Sequence, residues 1–94
     1  MYLMISKYVA PLDEVDRARP AHLAFLDGLA ERGLLISAGR QTPAVGGVVI
    51  LDAPDEAAAH ALMADDPYVR QGLANYTATG WEPSRGALAD YKKA

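Results

Sequence analysis

The chain has 94 residues, 51% of them hydrophobic, no cysteine, and a formal net charge of −3. That length supports one core, and the composition excludes a disordered chain, disulfides, thiolate catalysis and cysteine metal sites. The nine Lys and Arg residues are scattered rather than clustered, so nucleic acid is set aside as a partner.

No apolar run approaches the ~20 residues of a membrane helix, so no membrane partner is expected. Residues 1–8 are apolar but few, include Lys7, and lack the charged region and cleavage site of a signal peptide. The expectation is a single cytoplasmic domain over residues 1–94. A monomer of this size buries only about two-thirds of its unfolded surface, which makes self-association a natural source of stability.

Residues 2–9 (YLMISKYV) are rich in β-branched and aromatic side chains and end at Ala10-Pro11, so they read as a first strand. Residues 12–19 are charged and read as a short helical or irregular lead-in. Pro20 then suits the first turn of a helix, where its missing N–H costs nothing. Leu23, Phe25, Leu26, Leu29 and Ala30 give that helix an apolar face, and Gly33 reads as its C-terminal cap. Residues 34–38 (LLISA) read as a second strand and residues 46–51 (GGVVIL) as a third, with a Gly/Pro-containing loop between.

The stretch 52–56 (DAPDE) is a helix start, with a capping residue, a proline, and acids near the positive end of the dipole. An alanine-rich helix follows to about Ala64, and Asp65-Asp66-Pro67 stops it. Residues 68–72 suggest another short turn, and residues 75–82 (NYTATGWE) a fourth strand. The tail, 83–94, is polar and reads as extended or ordered against a partner.

The order β-α-β-β-α-β predicts a ferredoxin-like α+β fold: a four-stranded antiparallel sheet with two helices on one face. Leu3, Ile5 and Val9 lie on one side of the first strand, with Tyr2, Met4 and Tyr8 on the other. In the third strand Val48 and Ile50 oppose Val49 and Leu51. Two helices cover only one face, so something must cover the second. A second copy of the sheet, giving a homodimeric α+β barrel, is the simplest occupant; long loops and the tail are the alternative.

Only His22 and His60 offer acid–base chemistry near neutral pH. His60 lies in an alanine-rich stretch and reads as a solvent-facing helix residue. His22 falls in the first helical turn, one position off the centre of the apolar face. A catalytic role for it requires a carboxylate to orient the ring, and Asp66 is the best candidate. On pattern alone a lone histidine near a helix start is more often structural, and Asp66 is equally a stop residue before proline. The helices run roughly parallel, so the pair forms only if the loop carrying Asp66 folds back or a partner subunit helps. Tyr8, Tyr68, Tyr76 and Trp81 suit pocket walls for a planar ligand, or core and dimer contacts. No P-loop, dinucleotide fingerprint or metal-ligand cluster is visible, so neither a cofactor nor a metal is expected.

The stretch 19–23 (RPAHL), then 33–39 (GLLISAG), then 66–69 (DPYV), resembles the YCII-like family, with similarity extending from Met1 to about Trp81. The resemblance implies a dimeric ferredoxin-like fold and a cleft centred on a His–Asp pair, by position His22 and Asp66. It further implies that Arg19, Ser37 and Gly39 line that cleft, and with Tyr68 as an aromatic wall these are the expected substrate-binding residues. The connection 42–47 is shorter than in many relatives and the tail differs, which bears on the substrate because loops and tails shape pockets.

Two functions follow as expectations. One is a small cofactor-independent enzyme, a lyase or isomerase acting on a small cyclic or phenolic metabolite, with His22 as general base. The resemblance includes dehydrochlorinase-type enzymes of aromatic degradation. The other is a non-catalytic small-molecule-binding or dimerisation module of the same fold.

Overall fold

The computed structural model describes residues 1–91. Its elements are β1 (Tyr2–Tyr8), α1 (Leu12–Glu31), β2 (Leu35–Arg40), β3 (Gly47–Leu51), α2 (Glu56–Met63), α3 (Pro67–Arg70) and β4 (Ala74–Gly80). The strands form one antiparallel sheet in the order β2-β3-β1-β4. This is the expected α+β ferredoxin-like arrangement, with the one-turn α3 added before β4.

Helix α1 departs from expectation in a way that matters for the site. It begins at Leu12, not at Pro20, which lies exposed inside it. An interior proline removes one helical hydrogen bond and normally costs about 3 kcal/mol. Here the lost N–H lies on the solvent side, where water can take the freed carbonyl of Asp16. What carries the helix through Pro20 is a stripe of inward residues: Val15, Ala18, His22, Leu26 and Leu29, spaced three or four apart. Asp13 and Glu14 in the first turn complement the dipole. At the other end Gly33 adopts φ 73°, and Leu34 N–H and Gly33 N–H donate to the carbonyls of Leu29 and Ala30 at 3.0 Å each. That is the left-handed glycine cap anticipated from sequence.

Helix α2 starts one turn later than the DAPDE stretch suggests, because Asp55 and not Asp52 is its cap. The Asp55 carboxylate accepts from Ala58 N–H at 2.7 Å.

The main core lies between the sheet and both long helices: Met4 from β1, Val49 and Leu51 from β3, Leu26 and Leu29 from α1, Ala59 and Met63 from α2. A second cluster, Val15, Ala18, Tyr68, Leu73 and Ala74, joins the first half of α1 to α3 and the start of β4. Gly46 brings the β2–β3 connection against β1, since a Cβ there would fall 1.9 Å from the Ser6 carbonyl oxygen. Gln41 seals the contact, donating to the carbonyls of Ser6 and Gly47 at 3.0 and 3.2 Å.

On the opposite face, register places Leu3 beside Ile50 and Thr79, and Ile5 beside Val48 and Thr77. Its centre is apolar and β4 makes its border polar. Ile5 is 40% exposed. The tail does not run free from Trp81: Trp81 N–H donates to the Met1 carbonyl at 3.0 Å, and turns close at Ala89 and Tyr91. The rest of the expected tail, residues 92–94, lies outside the described residues. Among those described, no helix is long and apolar enough to cross a membrane.

Candidate active site

The dipeptide Asp66-Pro67 does more than stop α2. Pro67 is the first residue of α3, and Asp66 is its N-cap in extended conformation, with its carboxylate accepting from Tyr68 N–H at 3.0 Å. α3 packs against the first half of α1, so the chain folds back and brings Asp66 to His22. Asp66 is 0% exposed. Burying a carboxylate is expensive unless donors replace its water, and three do so here. Oδ1 accepts from Tyr68 N–H and lies 2.8 Å from His22 Nδ1, while Oδ2 accepts from the Tyr76 hydroxyl at 2.8 Å.

A carboxylate only accepts, so the proton of a neutral His22 belongs on Nδ1. Nε2 is left with its lone pair. The ring lies flat on Tyr68, with centroids 3.9 Å apart and planes 8° off parallel. The His22 side chain is 12% exposed, and the space beside it is a cavity of about 150 Å³. Polar lining comes from Ser6, Tyr8, Arg19, Tyr68, Arg40 and Tyr76, and the sheet supplies Ala38, Gly39 and Val49 as an apolar wall.

The electrostatics divide the lining. Burial, then the charge of Asp66 and the hydrogen bond to it, pushes the Tyr76 phenol far above its ordinary range. Burial likewise raises Tyr68, as does nearby Tyr8, while Arg40 and Arg19 pull it back. Arg40 is committed: it donates through Nε to the Tyr8 hydroxyl at 3.0 Å and through a terminal nitrogen to Asp16 at 2.5 Å. Those two bonds hold it protonated more firmly than a free arginine. Among the described residues Arg19 has no hydrogen-bond or ion-pair partner, which leaves its charge available to the cavity.

His22, Asp66, Arg19, Gly39 and Tyr68 therefore come together. Two details differ from the sequence reading: His22 sits in the middle of α1 and on its inward stripe, and β2 runs through Gly39 to Arg40 instead of ending at Ala38. The structure does not bring Ser37 to the cavity. Cross-strand neighbours share a face, and Ser37 is exposed opposite Ile50, whereas Ala38 opposite Val49 faces the helices. His60 is exposed on α2, as expected. Sequence reasoning passed over Ser6 and Arg40; of the four aromatics it offered as pocket walls, Tyr8, Tyr68 and Tyr76 line the cavity and Trp81 does not. Strand alternation carried a signal for Ser6, the one small polar residue on the inward face of β1 between Met4 and Tyr8. Among the described residues, no group of three or more His, Cys, Asp or Glu side chains gathers as metal ligands would.

The sheet order defines a ferredoxin-like α+β protein, and comparison gives the family. Residues 1–82 match the model of the YCII-related domain, and the chain belongs to that family. Among solved structures it is similar to 5-chloro-2-hydroxyhydroquinone dehydrochlorinase (TftG) from Burkholderia phenoliruptrix AC1100, in complex with 2,5-dihydroxybenzoquinone. The TM-score is 0.70 at 22% identity, covering 86% of this chain and 93% of the other. No curated protein sequence matches the chain.

Proposed function

We propose that this protein is a cofactor-independent lyase or isomerase that removes a proton from a small cyclic or phenolic metabolite. The observation that carries the reading is the 2.8 Å contact between His22 Nδ1 and the fully buried Asp66 carboxylate, beside a cavity of ring size. His22 Nε2 takes the proton from a ring carbon or hydroxyl, and Asp66 stabilises the imidazolium that forms. In a lyase the released electron pair expels a leaving group from the neighbouring carbon. In an isomerase the imidazolium returns the proton at another position. Arg19 attracts the anionic substrate or product, Tyr68 stacks on the base and fixes its plane, and the Gly39 backbone leaves room for the ring edge. The similarity to a dehydrochlorinase that holds a dihydroxybenzoquinone favours hydroxylated, halogenated rings as the first substrates to try.

The test is a panel of hydroxylated and chlorinated hydroquinones, followed by ultraviolet absorbance and halide release. Wild type is expected to turn over at least one, and His22→Gln to lose about 10²- to 10⁴-fold in kcat. Equal rates in the two proteins, or no turnover anywhere in the panel, overturns the enzyme reading. Ligand binding that persists without turnover would instead make the chain a binding module.

The same proposal includes a homodimer through the open sheet face, where Leu3, Ile5, Val48 and Ile50 form an apolar centre across paired strands. A second copy would cover this patch with its own equivalent about a two-fold axis, the commonest symmetry of such pairs. Sedimentation should give a dimer for wild type and a monomer for Ile5→Lys with Val48→Lys. A wild-type monomer at micromolar concentration excludes it.

A further inference from the structure

We infer that Tyr8 is a second catalytic group of the cavity, an oriented O–H donor for the oxygen on which negative charge develops while His22 removes a proton. This rests on the acid–base reading of the site but names a different residue and a different job.

Tyr8 is the last residue of β1, and its side chain follows Tyr2, Met4 and Ser6 on the helix-covered face. Its ring meets the Tyr68 ring edge-on, with centroids 5.9 Å apart and planes 81° apart. His22 stacks on the same Tyr68 ring at 3.9 Å. Tyr68 therefore touches both the base and the Tyr8 ring, and all three line one cavity. A flat ring bound in that cavity is bordered by both His22 and Tyr8.

What makes Tyr8 more than a wall is the direction of its hydrogen bond. Arg40 Nε–H donates to the Tyr8 oxygen at 3.0 Å. A phenol oxygen that accepts from a guanidinium cannot also send its own proton there, since arginine has no acceptor. Among the described residues no other group takes the Tyr8 proton. The O–H is thus polarised from behind by a cation and free in front, which is the arrangement an oxyanion donor needs.

Arg40 is in turn fixed by Asp16 of α1, and its guanidinium carbon lies 5.6 Å from the Tyr8 ring centroid. The Asp16–Arg40 pair is neutral overall, so Arg40 acts through Tyr8 as a positioning residue. Two relays then share the cavity, Tyr76–Asp66–His22 for the base and Asp16–Arg40–Tyr8 for the donor. The step balances: a C–H or O–H bond of the substrate breaks, an N–H bond forms on His22, and the electron pair moves to an oxygen that hydrogen-bonds to Tyr8.

The test uses binding, so it is separate from turnover. 4-Nitrophenolate is titrated by absorbance at a pH where the free probe is fully ionised, with nitrobenzene as a probe of similar shape lacking the oxyanion. Tyr8→Phe should weaken nitrophenolate at least about tenfold, as expected for losing a hydrogen bond to a charged group, and leave nitrobenzene within about threefold. Arg40→Gln retains Tyr8 and provides a second measurement; it should lower the preference for nitrophenolate over nitrobenzene by about threefold or more. An unchanged preference in Tyr8→Phe or in Arg40→Gln, or no nitrophenolate binding by wild type, overturns the inference. Tight, Tyr8-dependent anion binding in a protein that turns nothing over would instead sink the enzyme reading and leave the donor site standing.

Discussion

The helix-covered face of the sheet holds two regions built by the same elements to opposite ends. On β1 the inward residues run Tyr2, Met4, Ser6, Tyr8; on α1 they run Leu29, Leu26, His22, Ala18 and Val15. Toward Met4 and Leu29 the layers meet directly through apolar side chains, and α2 closes the gap with Ala59 and Met63. Toward Tyr8 and His22 the layers stand apart around a cavity, and the short α3 fills the side with a carboxylate and a ring. Apolar packing is concentrated in the first region and the titratable side chains around the cavity in the second. The difference is made by very few positions, since one turn of α1 separates Leu26 from His22 and one strand repeat separates Met4 from Ser6.

The sharpest way to break this division is to damage the apolar region alone. Met4 is fully buried among Leu26, Leu29, Val49 and Leu51. Met4→Ala should cost about 2–5 kcal/mol, the range for emptying a packed core site. For a domain of this size each kcal/mol lowers Tm by roughly 4–8 °C, readily seen by calorimetry. Below the new Tm the His22–Asp66 geometry should persist, read as an unchanged imidazole nitrogen NMR spectrum. A spectrum that changes along with Tm would mean the two regions are one.

Damage confined to the polar region should be smaller in stability and larger in function. In Asp66→Asn the Tyr68 N–H still requires an oxygen at the Oδ1 position, which places the amide nitrogen at Oδ2 and makes the Tyr76 hydroxyl an acceptor. The same oxygen still accepts from His22 Nδ1. The histidine tautomer should therefore survive, while the negative charge that stabilises an imidazolium is lost. A stability loss of about 1–3 kcal/mol in urea is expected. On any substrate found, kcat should fall about 10²-fold or more with KM little changed. Loss of the Nδ1–H signal by nitrogen NMR would show that the amide had flipped and that Tyr68 N–H does not fix it.

The two regions also differ in how far the sequence disclosed them. Strand and helix identity follows from alternation and from the 23–30 face, and the Gly33 cap was visible because glycine tolerates positive φ. Pro20 hid the true start of α1: proline rules place it at a first turn, yet tertiary packing of Val15 and Ala18 carries the helix through it. That error moved His22 from mid-helix to a helix start and off the inward stripe. Residue pattern names Asp66 only as the best candidate partner for His22 and resemblance strengthens it, because a contact across 44 residues leaves no local spacing to read. Ser37 and Gly39 share an alternation phase and so share a face, yet only Gly39, through its backbone, borders the cavity. The Arg40–Tyr8 and Tyr76–Asp66 contacts depend on sheet register, which no single strand encodes.

The smallest effect expected is also a test of how closed the polar region is. Tyr76 donates to Asp66 from β4, and burial, with the neighbouring carboxylate next, holds its phenol protonated far beyond the ordinary range. In the unfolded chain the same phenol ionises near about pH 10. A group whose native form keeps its proton while the unfolded form loses it contributes stability that is intact below that value and is lost as pH rises above it. By linkage the loss for one such phenol reaches about 1.4 kcal/mol by roughly pH 11. Tyr76→Phe cannot titrate. The stability advantage of wild type over this variant should therefore shrink by that amount between pH 9 and 11, measured by urea unfolding. An advantage that stays constant would mean that Tyr76 ionises as readily in the native protein as in the unfolded one, so that water reaches the far side of Asp66. Region two would then be an open cleft, and the buried carboxylate would lose its claim to orient His22.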